Sequence, residues 1–168
     1  MICFDNIEKV ICFDNIEKAL KSFKNNHPFD HCVVENFFDL QTARLLEAEI
    51  PIYDDNIWFE YNNPLEHKKA LNNWNNFPPL TYKIFMILNS IQMINLLKKY
   101  LGVNLFPDIG LHGGGWHIHG IGGNLNPHLD YSIHPKCELQ RKLNIIVYLS
   151  EELNPKKHKG HLGLWSHN

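Results

Sequence analysis

Arginine is nearly absent from this sequence: Arg44 and Arg141 are the only two, and lysine supplies the rest of the 16 basic side chains set against 18 acidic ones. The formal net charge of −2 leaves no strong field of either sign, so nothing marks a nucleic-acid or acidic-membrane surface. The shortage of guanidinium groups also limits which side chains can grip a carboxylate with two parallel donors. Cysteine spacing is equally uninformative. Cys3, Cys12, Cys32 and Cys137 form no Cys-x-x-Cys and no zinc-like pattern, and they read as reduced thiols of a cytoplasmic protein. No apolar run approaches the roughly 20 residues that a membrane span needs. The start, "MICFDNIEKV", holds two acids and no apolar core, which reads against a secretory signal. Neither GxGxxG nor GxxxxGK[ST] occurs, so the common phosphate cradles are not expected. A length of 168 residues suits one domain, expected to run over 1–168.

What is present is organised in two parts. Residues 2–9, "ICFDNIEK", recur unchanged at 11–18. A ten-residue period turns a helix face by roughly 80° per copy, so this reads as a local duplication within 1–25 and not as a structural array. The second copy is expected to enter a helix through "IEKALKSF". The stretch 26–104 reads as mainly helical. In "FFDLQTARLLEAEIP", Asp39 stands as an N-cap and Pro51 as a stop. Residues 51–79 read as irregular, with one strand at "IWFEY". "LTYKIFMILNSIQMINLLKKYLG" has apolar residues at helical spacing, lysines near its end and Gly102 beyond, which predicts one long helix. Then the character changes. Seven of the ten glycines fall between 110 and 123, and eight of the eleven histidines lie from 112 onward. "GGGWHIHGIGG" reads as a strand and a tight turn, and "KLNIIVYLS" and "HLGLW" read as strands. Helices followed by strands predict an α+β fold with the chemistry in 105–168.

The candidate chemistry lies in "NPHLDYSIHP". A histidine and an aspartate two apart, His128 and Asp130, project to one face if the segment is extended, so an imidazole and a carboxylate can converge on one cation. Alone the pattern is weak: with eight aspartates and eleven histidines in 168 residues, about half of such sequences would show it by chance. The context makes it specific. Gly122, Leu125 and Pro127 precede the pair; Arg141 opens "RKLNIIVYLS", which contains Tyr148; and "GHLGLW" follows. This ordered set, over about residues 110–166, resembles the prolyl 4-hydroxylase-like branch of the 2-oxoglutarate/Fe(II)-dependent oxygenases, whose pattern runs Tyr-x-x-Gly-x-x-Leu-x-Pro-His-x-Asp, then Arg with Tyr-Leu-Asn, then Gly-Gly-x-Leu-x-Leu.

The resemblance implies N-terminal helices packed on a partial double-stranded β-helix, or jelly-roll, core, with 105–168 as its N-terminal half. It implies His128 and Asp130 as ligands of Fe(II), with Tyr148 and Arg141 near the co-substrate 2-oxoglutarate. It also implies O2 as oxidant and a small-molecule or protein substrate. The sequence departs from the pattern at His119, where the family has an aromatic hydroxyl, at Ser150, and at Lys159-Gly160-His161. The family's distal histidine and its carboxylate-binding Arg or Lys lie beyond the Gly-Gly strand, past Asn168. Two outcomes stay open: a complementing C-terminal segment or a substitute ligand completes an active dioxygenase, or the chain is a truncated, catalytically silent domain. His119 is the best-placed substitute, ahead of His134, His161 and His167.

Overall fold

The computed structural model describes residues 10–151 and 153–165; the first copy of the repeat and His167 lie outside the described residues. The second copy does enter a helix. α1, Phe13–Leu20, turns Ile16 and Leu20 inward, and a 3₁₀ turn at Phe23–Asn25 follows. α2, Leu40–Ala48, begins where expected: Asp39 accepts from the Thr42 backbone N–H at 2.9 Å and from its hydroxyl at 2.6 Å. These bonds satisfy an orphan amide of the first turn and hold the Asp39 carboxyl below the usual carboxylate range.

The long helix expected from Leu80 onward is two helices, α3 at Pro79–Leu88 and α4 at Ile91–Leu101. The pair Asn89-Ser90 causes the break. Asn89 Nδ2 donates back to the Phe85 carbonyl at 2.9 Å, and Ser90 Oγ accepts from Met93 N–H at 3.2 Å, which starts a new helix. Both side chains offer the backbone alternatives to a continuous ladder, and apolar spacing alone does not register that competition. α4 ends at Gly102, whose φ of +71° and N–H bond to Lys98 O form a left-handed cap.

The chain resolves into two compact units. One contains these helices, from the segment up to Glu49 and Pro79–Pro107, together with the chain from Leu164. Ile11, Ile16, Leu46, Ile87 and Met93 are among its most deeply buried side chains. α4 contacts both α1 and α3, and Glu17 of α1 accepts from Lys99 Nζ at 2.6 Å and Tyr100 Oη at 2.7 Å.

The other unit, Ile50–Pro78 with Asp108–Gly163, holds the sheet. β1 (Phe59–Asn62) overlaps the expected "IWFEY" strand, starting two residues later and ending one residue beyond it. β2 (Glu66–Leu71) lies in a stretch read as irregular. β2 is the centre of the sheet, pairing antiparallel with β1, with β3 (Trp116–Ile118) and with β4 (Asn124–Leu125). "EHKKAL" has little intrinsic strand preference; pairing along both edges makes it a strand. A short helix, α5, spans Pro155–His158. The α+β expectation therefore holds as mixed helix and antiparallel sheet. The expected strands at "KLNIIVYLS" and "HLGLW" do not form among the described residues: both stretches lie outside regular secondary structure. Ile145, Ile146 and Tyr148 are 42%, 51% and 54% exposed. Strand preference gives an extended backbone, but a ladder requires a neighbour, and here none is supplied.

No single helix is long and apolar enough to cross a membrane among the described residues. Cys12, Cys32 and Cys137 are free thiols.

Candidate metal centre

β4 and the loop after it position the pair. Leu125 sits opposite Glu66 in the sheet. Immediately afterwards Asn126 is anchored twice to the β1–β2 turn, its N–H donating to Leu65 O at 2.9 Å and its Nδ2 to Pro64 O at 3.1 Å. That fixes the Asn126 carbonyl, which lies 2.7 Å from His128 Nδ1. A carbonyl only accepts, so Nδ1 carries the proton. In the neutral ring, Nε2 is then a bare lone pair, the tautomer that binds metals. His128 Nε2 faces Asp130 Oδ1 at 3.4 Å.

Two acceptors meeting face to face repel unless a cation or a proton lies between them. Either the ring takes up a second proton and the contact is an ion pair, or a metal ion joins the two atoms. The spacing suits a metal: bonds of about 2.1 Å at 90–110° separate neighbouring donor atoms by about 3.0–3.4 Å. The residues are not in a strand, so the expected face-sharing of i and i+2 is not how they meet. The loop turns the imidazole back onto its own chain and brings it against the carboxylate. Both side chains remain reachable from solvent, at 39% and 44% exposure.

The other oxygen of Asp130 is occupied. Arg141 Nη2 lies 3.3 Å from Oδ2, and Asn144 Nδ2 donates to the same atom at 3.3 Å. Arg141 stacks over the Tyr131 ring at 4.6 Å, and the Tyr131 hydroxyl donates to His112 O at 2.9 Å. Burial pushes that hydroxyl's pKa up. A shallow, solvent-open groove of about 290 Å³ runs between Asp130–Ser132 and Arg141–Asn144.

Of the residues selected from the sequence, the structure brings together His128, Asp130 and Arg141. Tyr148 is 54% exposed on the extended stretch and makes no hydrogen bond or ring contact among the described residues. Among the described residues no group of three His, Cys, Asp or Glu side chains is placed to hold a metal ion. His134 is committed elsewhere: its Nδ1 accepts from Lys136 N–H and Cys137 N–H at 3.1 and 3.2 Å, and its Nε2 faces Asp108 at 3.5 Å. With Nδ1 accepting, the neutral ring carries its proton on Nε2, the wrong tautomer for a ligand through that atom. His119 lies just past β3, where burial and the Lys68 ammonium lower its pKa. His161 is exposed.

Asn126 and Asn144 were not visible as site residues in the sequence. Asn144 follows Arg141 by three positions, a spacing that puts neither residue on the other's face of a strand. No protein-family model matches this chain, and no curated protein or solved structure matches it. The functional reading therefore rests on the motif resemblance in the sequence and on the geometry of His128 and Asp130.

Proposed function

We propose that this chain is a domain of the Fe(II)/2-oxoglutarate-dependent dioxygenase type, with His128 and Asp130 as two of the metal ligands. The observation behind the proposal is the facing of His128 Nε2 and Asp130 Oδ1 at 3.4 Å, with the Nδ1 proton held by the Asn126 carbonyl. One imidazole and one carboxylate on neighbouring positions fit the donor set of non-haem Fe(II), which leaves open positions for a co-substrate and dioxygen. Bound iron with 2-oxoglutarate and O2 would supply the oxidising power for hydroxylation of a small-molecule or protein substrate in the cytoplasm. The chain's own part is to fix the imidazole tautomer through Asn126, to present one Asp130 oxygen, and to place Arg141 and the neighbouring open groove beside the pair. In this reading the exposed, extended stretch containing Ile145, Ile146 and Tyr148 is a jelly-roll strand awaiting its neighbours. A complementing segment would supply the third ligand together with the pairing.

A second reading is a catalytically silent oxygenase fold, favoured by the absence of a three-residue ligand group among the described residues. Succinate formation from 2-oxoglutarate under Fe(II) and oxygen separates the two. Turnover lost in His128→Ala supports the enzyme, and equal background in both proteins supports the silent domain. Anaerobic Fe(II) titration tests the shared premise. Stoichiometric binding abolished by Asp130→Ala is expected, and binding indifferent to both substitutions would end the metal reading.

A further inference from the structure

Resting on the metal reading above, we infer that Arg141 and Asn144 are positioning residues for Asp130, acting on its carboxylate and not on a co-substrate. Three observations converge on this assignment. Both side chains reach the same atom, Oδ2, at 3.3 Å each, while the opposite oxygen, Oδ1, is the one that faces His128 Nε2 at 3.4 Å. The arrangement therefore divides the carboxylate into a held oxygen and a presented one.

The guanidinium is also held by neighbours besides Asp130, and the backbone beneath it is anchored. The Arg141 backbone N–H donates to Ser132 O at 2.9 Å, its plane lies over Tyr131 at 4.6 Å, and Tyr131 is itself tied to His112 O. With 20% of its side chain exposed, Arg141 has little freedom to swing toward a ligand entering from solvent. The third observation is the pairing of a charged donor with a neutral one. Arg141 offsets the charge of Asp130, and Asn144 adds a directional bond that sets the plane of the carboxylate.

The chemical consequence is denticity. A carboxylate free on both oxygens can chelate a cation and occupy two coordination positions. With Oδ2 engaged by Arg141 and Asn144, Asp130 would offer a cation Oδ1 alone. Partners in this outer layer typically change metal affinity by about 10–100-fold when removed.

The test is anaerobic titration with Co(II) alone, followed by visible absorption, on the wild-type chain and on Arg141→Met, Asn144→Ala, Arg141→Lys and Asp130→Ala. 2-Oxoglutarate is then added at saturating Co(II). The expected result is a Co(II) Kd raised about tenfold in Arg141→Met and Asn144→Ala, with a changed ligand-field band. Arg141→Lys should recover much of the affinity, and Arg141→Met should leave 2-oxoglutarate affinity unchanged. Asn144 is exposed, so Asn144→Ala gives a folded readout even where Arg141→Met does not fold. Unchanged Co(II) affinity and spectrum in both variants overturns the inference. So does a loss confined to 2-oxoglutarate binding in Arg141→Met, which would make Arg141 a co-substrate anchor. A wild type whose Co(II) binding ignores Asp130→Ala is a different failure: it removes the metal reading itself, and the inference with it.

Discussion

At Gly115 a single absent side chain decides whether β3 can lie against β2. The residue has φ of +91°, and a Cβ there would collide with the Leu71 carbonyl oxygen and lie 2.8 Å from Asn72 Cα. Backbone cannot yield as a flexible side chain does, so Gly115→Ala is expected to cost about 3 kcal/mol, measured by urea unfolding followed by tryptophan fluorescence. Two positions on, His117 gives the sheet a pH dependence. Desolvation of its ring, with the Lys68 ammonium adding to it, lowers its pKa from 6.5 to about 4. The folded state therefore keeps the ring neutral while the unfolded chain takes up a proton. Stability should fall as pH drops from about 6.5 toward about 4, and flatten below. His117 is exposed, and water screens part of the effect, so the loss should be about 1 kcal/mol. His117→Gln should flatten that part of the stability–pH curve. His128 and Asp130 stand out as candidate ligands in the sequence because of what flanks them, since their spacing alone occurs by chance. The role of Asn144 was not, because its bond to Asp130 depends on the path of the intervening loop.

At the scale of elements, helix ends were more legible than helix continuity. Asp39 and Gly102 announce a start and a stop because capping is a local reaction between one side chain or one backbone angle and the nearest turn. The start of α3 is capped from a distance. Glu49 accepts from Leu80 N–H at 3.0 Å, from Thr81 N–H at 2.6 Å and from the Thr81 hydroxyl at 2.8 Å. Thr81 is fully buried, so no water replaces the lost acceptor. Glu49→Ala should cost about 2–3 kcal/mol, read as a lower midpoint in thermal unfolding by circular dichroism, with Glu49→Gln recovering part of the loss. Sequence spacing could not reveal this cap because its two halves are 31 residues apart. β2 teaches the same lesson: two lysines, a histidine and a glutamate become a strand because three neighbours pair with it.

Across the whole molecule, the stretch from Lys142 to Leu149 contrasts with the helices. Among the described residues, its amides donate to no backbone carbonyl, whereas α4 carries a full helical ladder and buries Met93, Ile94, Leu97 and Leu101. Hydrogen exchange should separate them cleanly: amides of residues 142–149 should exchange at close to unprotected rates while those in the middle of α4 require opening of the helix. Protection of 142–149 in the protein alone would show that the stretch has found a strand neighbour. Protection that appears only on adding a complementing segment would support the jelly-roll part of the proposed function.

The α+β class, the helix start at Asp39 and stop at Gly102, the glycine-bearing turn before the pair and the choice of His128 and Asp130 as candidate ligands follow from the sequence by itself. Each depends on interactions within a few residues or on composition. Only the tertiary structure decided that β2 is the central strand, that the long apolar pattern is two helices, that Glu49 caps α3, and that one oxygen of Asp130 is held by Arg141 and Asn144 while the other faces His128. Those outcomes depend on groups that meet after the chain has turned back on itself. Their distances are set by the sheet register and the loop anchored at Asn126, not by spacing along the chain.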